Sequence, residues 1–149
     1  MNSARCIAGL VAGALLIFVA GCDTGPRMIP VSGVVTLDGK PVKNAAVMFL
    51  STSGGRPAEG ITDAEGRYSL TTFKFGDGAV EGQHSVSVTG VESIGNPGSY
   101  TPEGMISGSG TQREIWFVPQ KYSNPATAGI QCEVSPSQNK HDFDLKSVE

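Results

Sequence analysis

The sequence predicts an all-β fold, a β-sandwich, on three observations. Apolar runs between Val31 and Thr89 (VSGVVTL, AAVMFL, RYSL, HSVSV) are each too short for a typical helix. They are bounded by residues that reverse a chain, notably Asp38-Gly39 and Asp63-Ala64-Glu65-Gly66. Within most runs apolar and polar residues alternate, the period of a strand with one buried face.

The first residues of the 149 belong to a different kind of segment. Arg5 supplies a positive start, and Ile7 to Ala20 is an apolar run of 14 residues. That is the length of a secretory leader and short for a span, which needs about 20 residues. Val19-Ala20-Gly21-Cys22 follows at once and resembles the bacterial lipobox. The resemblance implies cleavage before Cys22, so that residues 1–21 are a lipoprotein signal peptide and Cys22 is the lipidation site, with palmitate among its acyl chains. Several acyl chains, at about 0.8 kcal/mol per buried CH₂, hold a soluble domain on a membrane. The competing readings are an ordinary secretory peptide and an uncleaved anchor with an incidental cysteine. Residues 22–30 form the lipid-anchored tether, whose two prolines and glycine deny it a helix.

Residues 31–149 form the domain. Val31 to Leu37 is the first strand, with Gly33 inside it as a bulge or a close backbone approach. Asp38-Gly39 is a type I′ hairpin signal. Ala45 to Leu50, nearly all apolar, reads as a central strand covered on both sides, with Val47 and Phe49 facing one way and Met48 and Leu50 the other. Ser51 to Glu59 is loop, and Ile61-Thr62 a short edge strand. Asp63 to Gly66 is a turn in which the Asp63 side chain bonds the backbone. Arg67 to Thr71 follows with Tyr68 and Leu70 inward, then a Gly-rich connection from Phe73 to Gly82. Gln83 to Thr89 alternates cleanly, placing His84, Val86 and Val88 inward.

Three segments, VSGVVTLDGKPVKNAAVMF, GITDAEGRYSL and EGQHSVSVTG, resemble the carboxypeptidase regulatory-like domain. Its pattern falls here on Gly33, Val35, Gly39, Pro41, Val42, Ala45 and Val47, then Thr62, Asp63, Gly66, Tyr68 and Leu70, then Gly82, His84, Val86 and Val88. The resemblance covers Val31 to about Gly90 and implies a transthyretin-like sandwich of about seven strands. His84 stands where the family usually has an aromatic. With the lipobox and the later KYSNPATAGIQCEV, the chain is similar to small surface lipoproteins of planctomycete bacteria, and the resemblance brings no enzyme activity with it.

Residues 91–112 hold five glycines, four serines and two prolines and read as a long Gly/Ser-rich loop, either disordered or a binding loop. Glu114 to Pro119 is an aromatic patch with the only tryptophan. Ala128 to Val134 and Lys140 to Leu145 are the last strands, with Cys132 inward, Phe143 and Leu145 inward, and Asp142 and Asp144 outward.

Chemistry is sparse. No G-x-S-x-G, phosphate loop or HExxH occurs, and His84 and His141 are the only histidines. No catalytic residues and no metal ligands are assigned. No cofactor is expected beyond the lipid on Cys22. Cys6 leaves with the leader and Cys22 is lipidated, so Cys132 has no disulfide partner. Loss of Arg5 leaves ten basic against fourteen acidic residues, net −4, which argues against nucleic acid as partner. The membrane, through the lipid anchor, and an envelope protein or glycan are the expected partners. Trp116, Phe117, Tyr122 and Tyr100 are the candidate ligand-binding residues, because aromatics stack on sugars and anchor interfaces. Their competing role is to close the core. The expected function is a lipid-anchored, non-catalytic envelope protein for interaction or structure. The alternatives are a carbohydrate- or peptide-binding module using the Trp116/Tyr122 region, and an enzyme or metal protein.

Overall fold

The computed structural model describes residues 25–95, 99–100, 106–107 and 112–147. Its strands, in chain order, are β1 (Met28–Ile29), β2 (Ser32–Leu37), β3 (Lys40–Pro41), β4 (Ala46–Ser51), β5 (Ala58–Ile61), β6 (Arg67–Ser69) and β7 (Ala79–Val80). There follow β8 (Gly82–Thr89), β9 (Val91–Gly95), β10 (Ser99–Tyr100), β11 (Ile106–Ser107), β12 (Gln112–Trp116), β13 (Ile130–Val134) and β14 (Phe143–Leu145). A 3-10 turn, Gln120–Tyr122, precedes β13. The fold is all-β, as the alternation predicts.

Two sheets make the sandwich. The first runs β13-β8-β4-β5, antiparallel throughout. The second is built on β2, with β14 parallel along one side and β6 and β3 antiparallel along the other. One edge between the sheets is stitched where Glu59 and Thr71 exchange backbone bonds of 2.9 and 2.8 Å. The inner faces supply Val35, Val47, Phe49, Tyr68, Val86, Val88, Val134 and Leu145, all at most 4% exposed. These are the in-pointing positions of the period-two pattern, so strand parity alone sorted them. β4 is central in its sheet but is not covered on both faces as its apolar run predicts: Val47 and Phe49 are buried while Leu50, on the other face, is exposed, because the second sheet packs on one side of it alone.

The turns carry the expected chemistry. Asp38 and Gly39 have φ of 50° and 78°, as a type I′ hairpin requires. The Asp63 carboxylate accepts the N–H groups of Glu65 (3.0 Å) and Arg67 (2.8 Å), closing its turn. Gly33 is a close approach: a Cβ there would lie 1.7 Å from the His141 carbonyl oxygen. The outward carboxylates of the C-terminal segment are fasteners. Asp142 accepts from Val34 N–H at 2.9 Å, and Asp144 accepts from the Thr36 hydroxyl at 2.9 Å and Gly39 N–H at 3.2 Å. They hold β14 beside β2, where a parallel pairing only three residues long gains little from its own ladder.

Three further expectations need correction. Residues 28–30 are not free tether. Met28 and Ile29 pair with Val80 and Ala79, and Ile29 is 5% exposed in the core, so the fold begins before Val31. The segment Ser51 to Glu59 was expected as loop and Ile61-Thr62 as a strand. The strand is Ala58–Ile61, because Ala58 opposite Phe49 continues the buried face. The stretch 91–112 is not simply loop. Where it is described it is strand: β9 pairs with β12 through Val91↔Trp116 to Gly95↔Gln112, and β10 pairs with β11. β9 continues β8 past Gly90, so the two strands leave the sandwich as an antiparallel ribbon. All five β9 residues are exposed. Composition misled here because backbone pairing does not require apolar side chains.

Candidate functional site

Phe49 on β4 is the hub of the interior. Its ring centroid lies 6.3 Å from Tyr68, 5.9 Å from His84, 5.8 Å from His141 and 6.0 Å from Phe143. The two-sheet topology thus brings both histidines to one aromatic cluster, though 57 residues separate them. Cys132 joins them: β13 and β8 pair in the register that sets Cys132 directly opposite His84. Sequence neighbours gave no sign of this, since the pairing depends on register between distant strands.

The surroundings disfavour charge on Cys132, His84 and Tyr68. Burial pushes the Cys132 thiol up to about 11. Burial also lowers the His84 imidazole, against the Gly82 carbonyl 3.0 Å from Nδ1 and with a further push down from His141. Tyr68 is raised, first by burial and then by Cys132 and Asp142, and its hydroxyl donates to the His141 carbonyl at 2.7 Å. A thiolate nucleophile needs the reverse, a lowered thiol beside a protonated base. The cluster is therefore arranged for packing. Among the described residues no group of three or more His, Cys, Asp or Glu side chains is placed to hold a metal ion.

His84 makes the domain acid-sensitive. Its folded pKa lies below the unfolded value of about 6.5, so the unfolded chain binds the proton first. The stability it contributes is full above about pH 6.5 and is lost as pH falls toward the folded value. The carboxylates held low (Asp38, Asp63, Asp77, Asp144) act only below about pH 4. The melting temperature is expected to fall between pH 7 and 5, and His84→Tyr to flatten that fall. Thermal melts across this range check it; equal slopes in both proteins would refute it.

Of the four candidate aromatics, Trp116, Phe117 and Tyr122 turn to separate surroundings. Trp116 ends β12 opposite Val91 and is half-buried. Phe117 packs on Gly90, where a Cβ would lie 2.5 Å from its ring, and it faces shallow grooves shared with Pro41, Lys43 and Asn44. Tyr122 turns to the C-terminal segment, accepting from Lys146 N–H at 3.1 Å, with Lys121 Nζ 4.9 Å from its ring centre. Tyr100 pairs with Ile106 through its backbone; its side chain lies outside the described residues. The ring-to-ring contacts among the described residues gather around Phe49 and include none of these side chains. Cys22 and the leader lie outside the described residues as well.

Two surface features escaped the sequence reading. The first is a groove of about 540 Å³ on the outer face of β5, β4 and β8, lined by Met48, Arg56, Glu59, Ile61, Thr71 and Ser87. It has room for a side chain or a small ligand. The second is the loop from Thr72 to Asp77, in the stretch expected as plain connection. It presents Phe73 at 58% and Phe75 at 100% exposure, the latter the most exposed large apolar side chain among the described residues. The available signal was the pair of phenylalanines in a loop otherwise built of Thr, Lys, Gly and Asp.

No protein-family model and no curated protein sequence matches the chain. Among solved structures it is similar to part of a 9R-lipoxygenase from Cyanothece PCC8801, at 16% identity and a TM-score of 0.35, over 83% of this chain and 17% of that one. The chain thus spans about one sixth of that enzyme, and at this TM-score the likeness carries no argument.

Proposed function

We propose that the chain is a lipid-anchored, non-catalytic β-sandwich of a bacterial cell envelope, acting as an interaction or structural module of carboxypeptidase regulatory-like type. One observation carries the reading. Arg5, the apolar run Ile7–Ala20 and Val19-Ala20-Gly21-Cys22 stand in lipoprotein order, and a folded strand, β1, starts at Met28 soon after. A domain so close to an acylated cysteine works at the membrane surface.

The interior supports the non-catalytic half of the proposal. The motif residues all have structural work: Gly33 admits a carbonyl, Gly39 and Asp63 shape turns, Tyr68 and His84 pack on Phe49. The interaction half draws on the β9–β12 ribbon, whose outer edges have no partner among the described strands and which exposes Ile94 and Ile115. Free edges accept an added strand from a peptide or protein.

Cys22→Ser is the test of the anchor. Radiolabelled palmitate is expected to enter the parent protein and to be lost from the variant, with slower removal of the leader. Unchanged labelling would sink the proposal.

A further inference from the structure

The loop Thr72–Asp77 is a built projection. The Asp77 carboxylate accepts three backbone N–H groups, from Thr72 (2.7 Å), Phe73 (2.9 Å) and Lys74 (2.9 Å). Gly76 N–H donates to the Thr71 hydroxyl at 3.0 Å, and the Thr72 hydroxyl donates to the Gly78 carbonyl at 2.6 Å. Asp77 titrates low in consequence: burial, which would raise it, is outweighed by the bonds from Thr72, Lys74 and Phe73. A loop fastened this thoroughly could turn its rings inward; instead Phe73 and Phe75 face solvent. Arg56 stands 5.9 Å from the Phe73 ring, and Lys74 lies between the two phenylalanines.

The position of the loop identifies its partner. Its base meets the start of the fold, since Gly78 packs so closely that a Cβ would lie 1.8 Å from the Ile29 carbonyl oxygen. β1 runs antiparallel to β7, and the Arg27 carbonyl accepts from Glu81 N–H at 2.9 Å. Ile29, at the base of the loop, lies seven residues after Cys22, a reach of at most about 25 Å. A lipid on Cys22 therefore keeps the base of this loop within that distance of the headgroups. Aromatic rings with flanking Lys and Arg suit that interface, with rings at the acyl boundary and cations on phosphate.

We propose that Phe73 and Phe75, flanked by Lys74 and Arg56, insert into the bilayer that carries the lipid anchor and orient the sandwich upon it. The inference rests on Cys22 being the lipid attachment site. Orientation matters because the groove and the β9–β12 ribbon are then held at set positions relative to the membrane, which a flexible tether alone does not do.

The test uses the full chain in phosphatidylethanolamine/phosphatidylglycerol vesicles containing lipids brominated in the upper acyl region. Phe75→Trp in a Trp116→Phe background places the only indole at the loop tip. Should that background fail to fold, Phe75→Trp with Trp116 retained gives the same comparison by difference from the parent. The expected result is blue-shifted emission and at least about twofold quenching by the brominated lipid. Arg56→Glu with Lys74→Glu should weaken the quenching. An indole that stays in water and unquenched overturns the inference and leaves the rings to a protein partner or a second copy. The mass of the N-terminal peptide from the same sample decides the anchor separately. A chain without lipid on Cys22 overturns the premise and the inference with it, whereas a lipidated chain whose indole stays unquenched overturns the role of the loop alone.

Discussion

Gly33→Ala is expected to destabilise the domain by about 3 kcal/mol or more, at the upper end of overpacking costs. The added Cβ would lie 1.7 Å from the His141 carbonyl oxygen and 2.6 Å from its carbon, and both partners are backbone. No rotamer change relieves this, so β2 must part from the C-terminal segment. Parting breaks the bond from His141 N–H to the Ser32 carbonyl (2.9 Å) and that from Tyr68 to the His141 carbonyl (2.7 Å). It also draws the Asp142 and Asp144 fasteners away from Val34, Thr36 and Gly39. For a domain of this size a loss of 3 kcal/mol lowers the melting temperature by about 10 °C or more. Urea unfolding and thermal melts measure both, and a variant within about 0.5 kcal/mol of the parent would refute the close approach.

Phe49→Ala is expected to cost about 3–5 kcal/mol. The ring is fully buried at the meeting point of both sheets, with four aromatic or imidazole rings around it. Removing it leaves a cavity that they cannot collapse to fill, because β4 lies between β5 and β8 and is held on both sides. Against a typical total of about 5–15 kcal/mol, a loss of this size leaves a marginal protein. Phe49→Leu, which keeps most of the volume, should cost clearly less. Equal losses for the two variants would mean that packing around the ring is not what stabilises the site.

The local features of this protein were legible in its sequence because local physics decides them. Parity along a strand placed Val47, Phe49, Tyr68, Val86 and Val88 inside. Asp38-Gly39 and Asp63 announced their turns because positive φ and side-chain-to-backbone bonding belong to particular residue types. The apolar run before Cys22 likewise reads directly from composition. Pairing between distant segments obeys no such local rule. Nothing in Cys132 or His84 says that they stand opposite each other, nor in the stretch from Val91 that it returns as a ribbon onto Trp116. The aromatic patch after Glu114 is the densest in the sequence, yet its rings go to separate places, while the most exposed rings belong to the Gly-rich connection after Thr72. Whether a ring is buried depends on which surfaces the rest of the chain brings to it, and that was decided by tertiary structure alone. For Phe75 the described residues bring none.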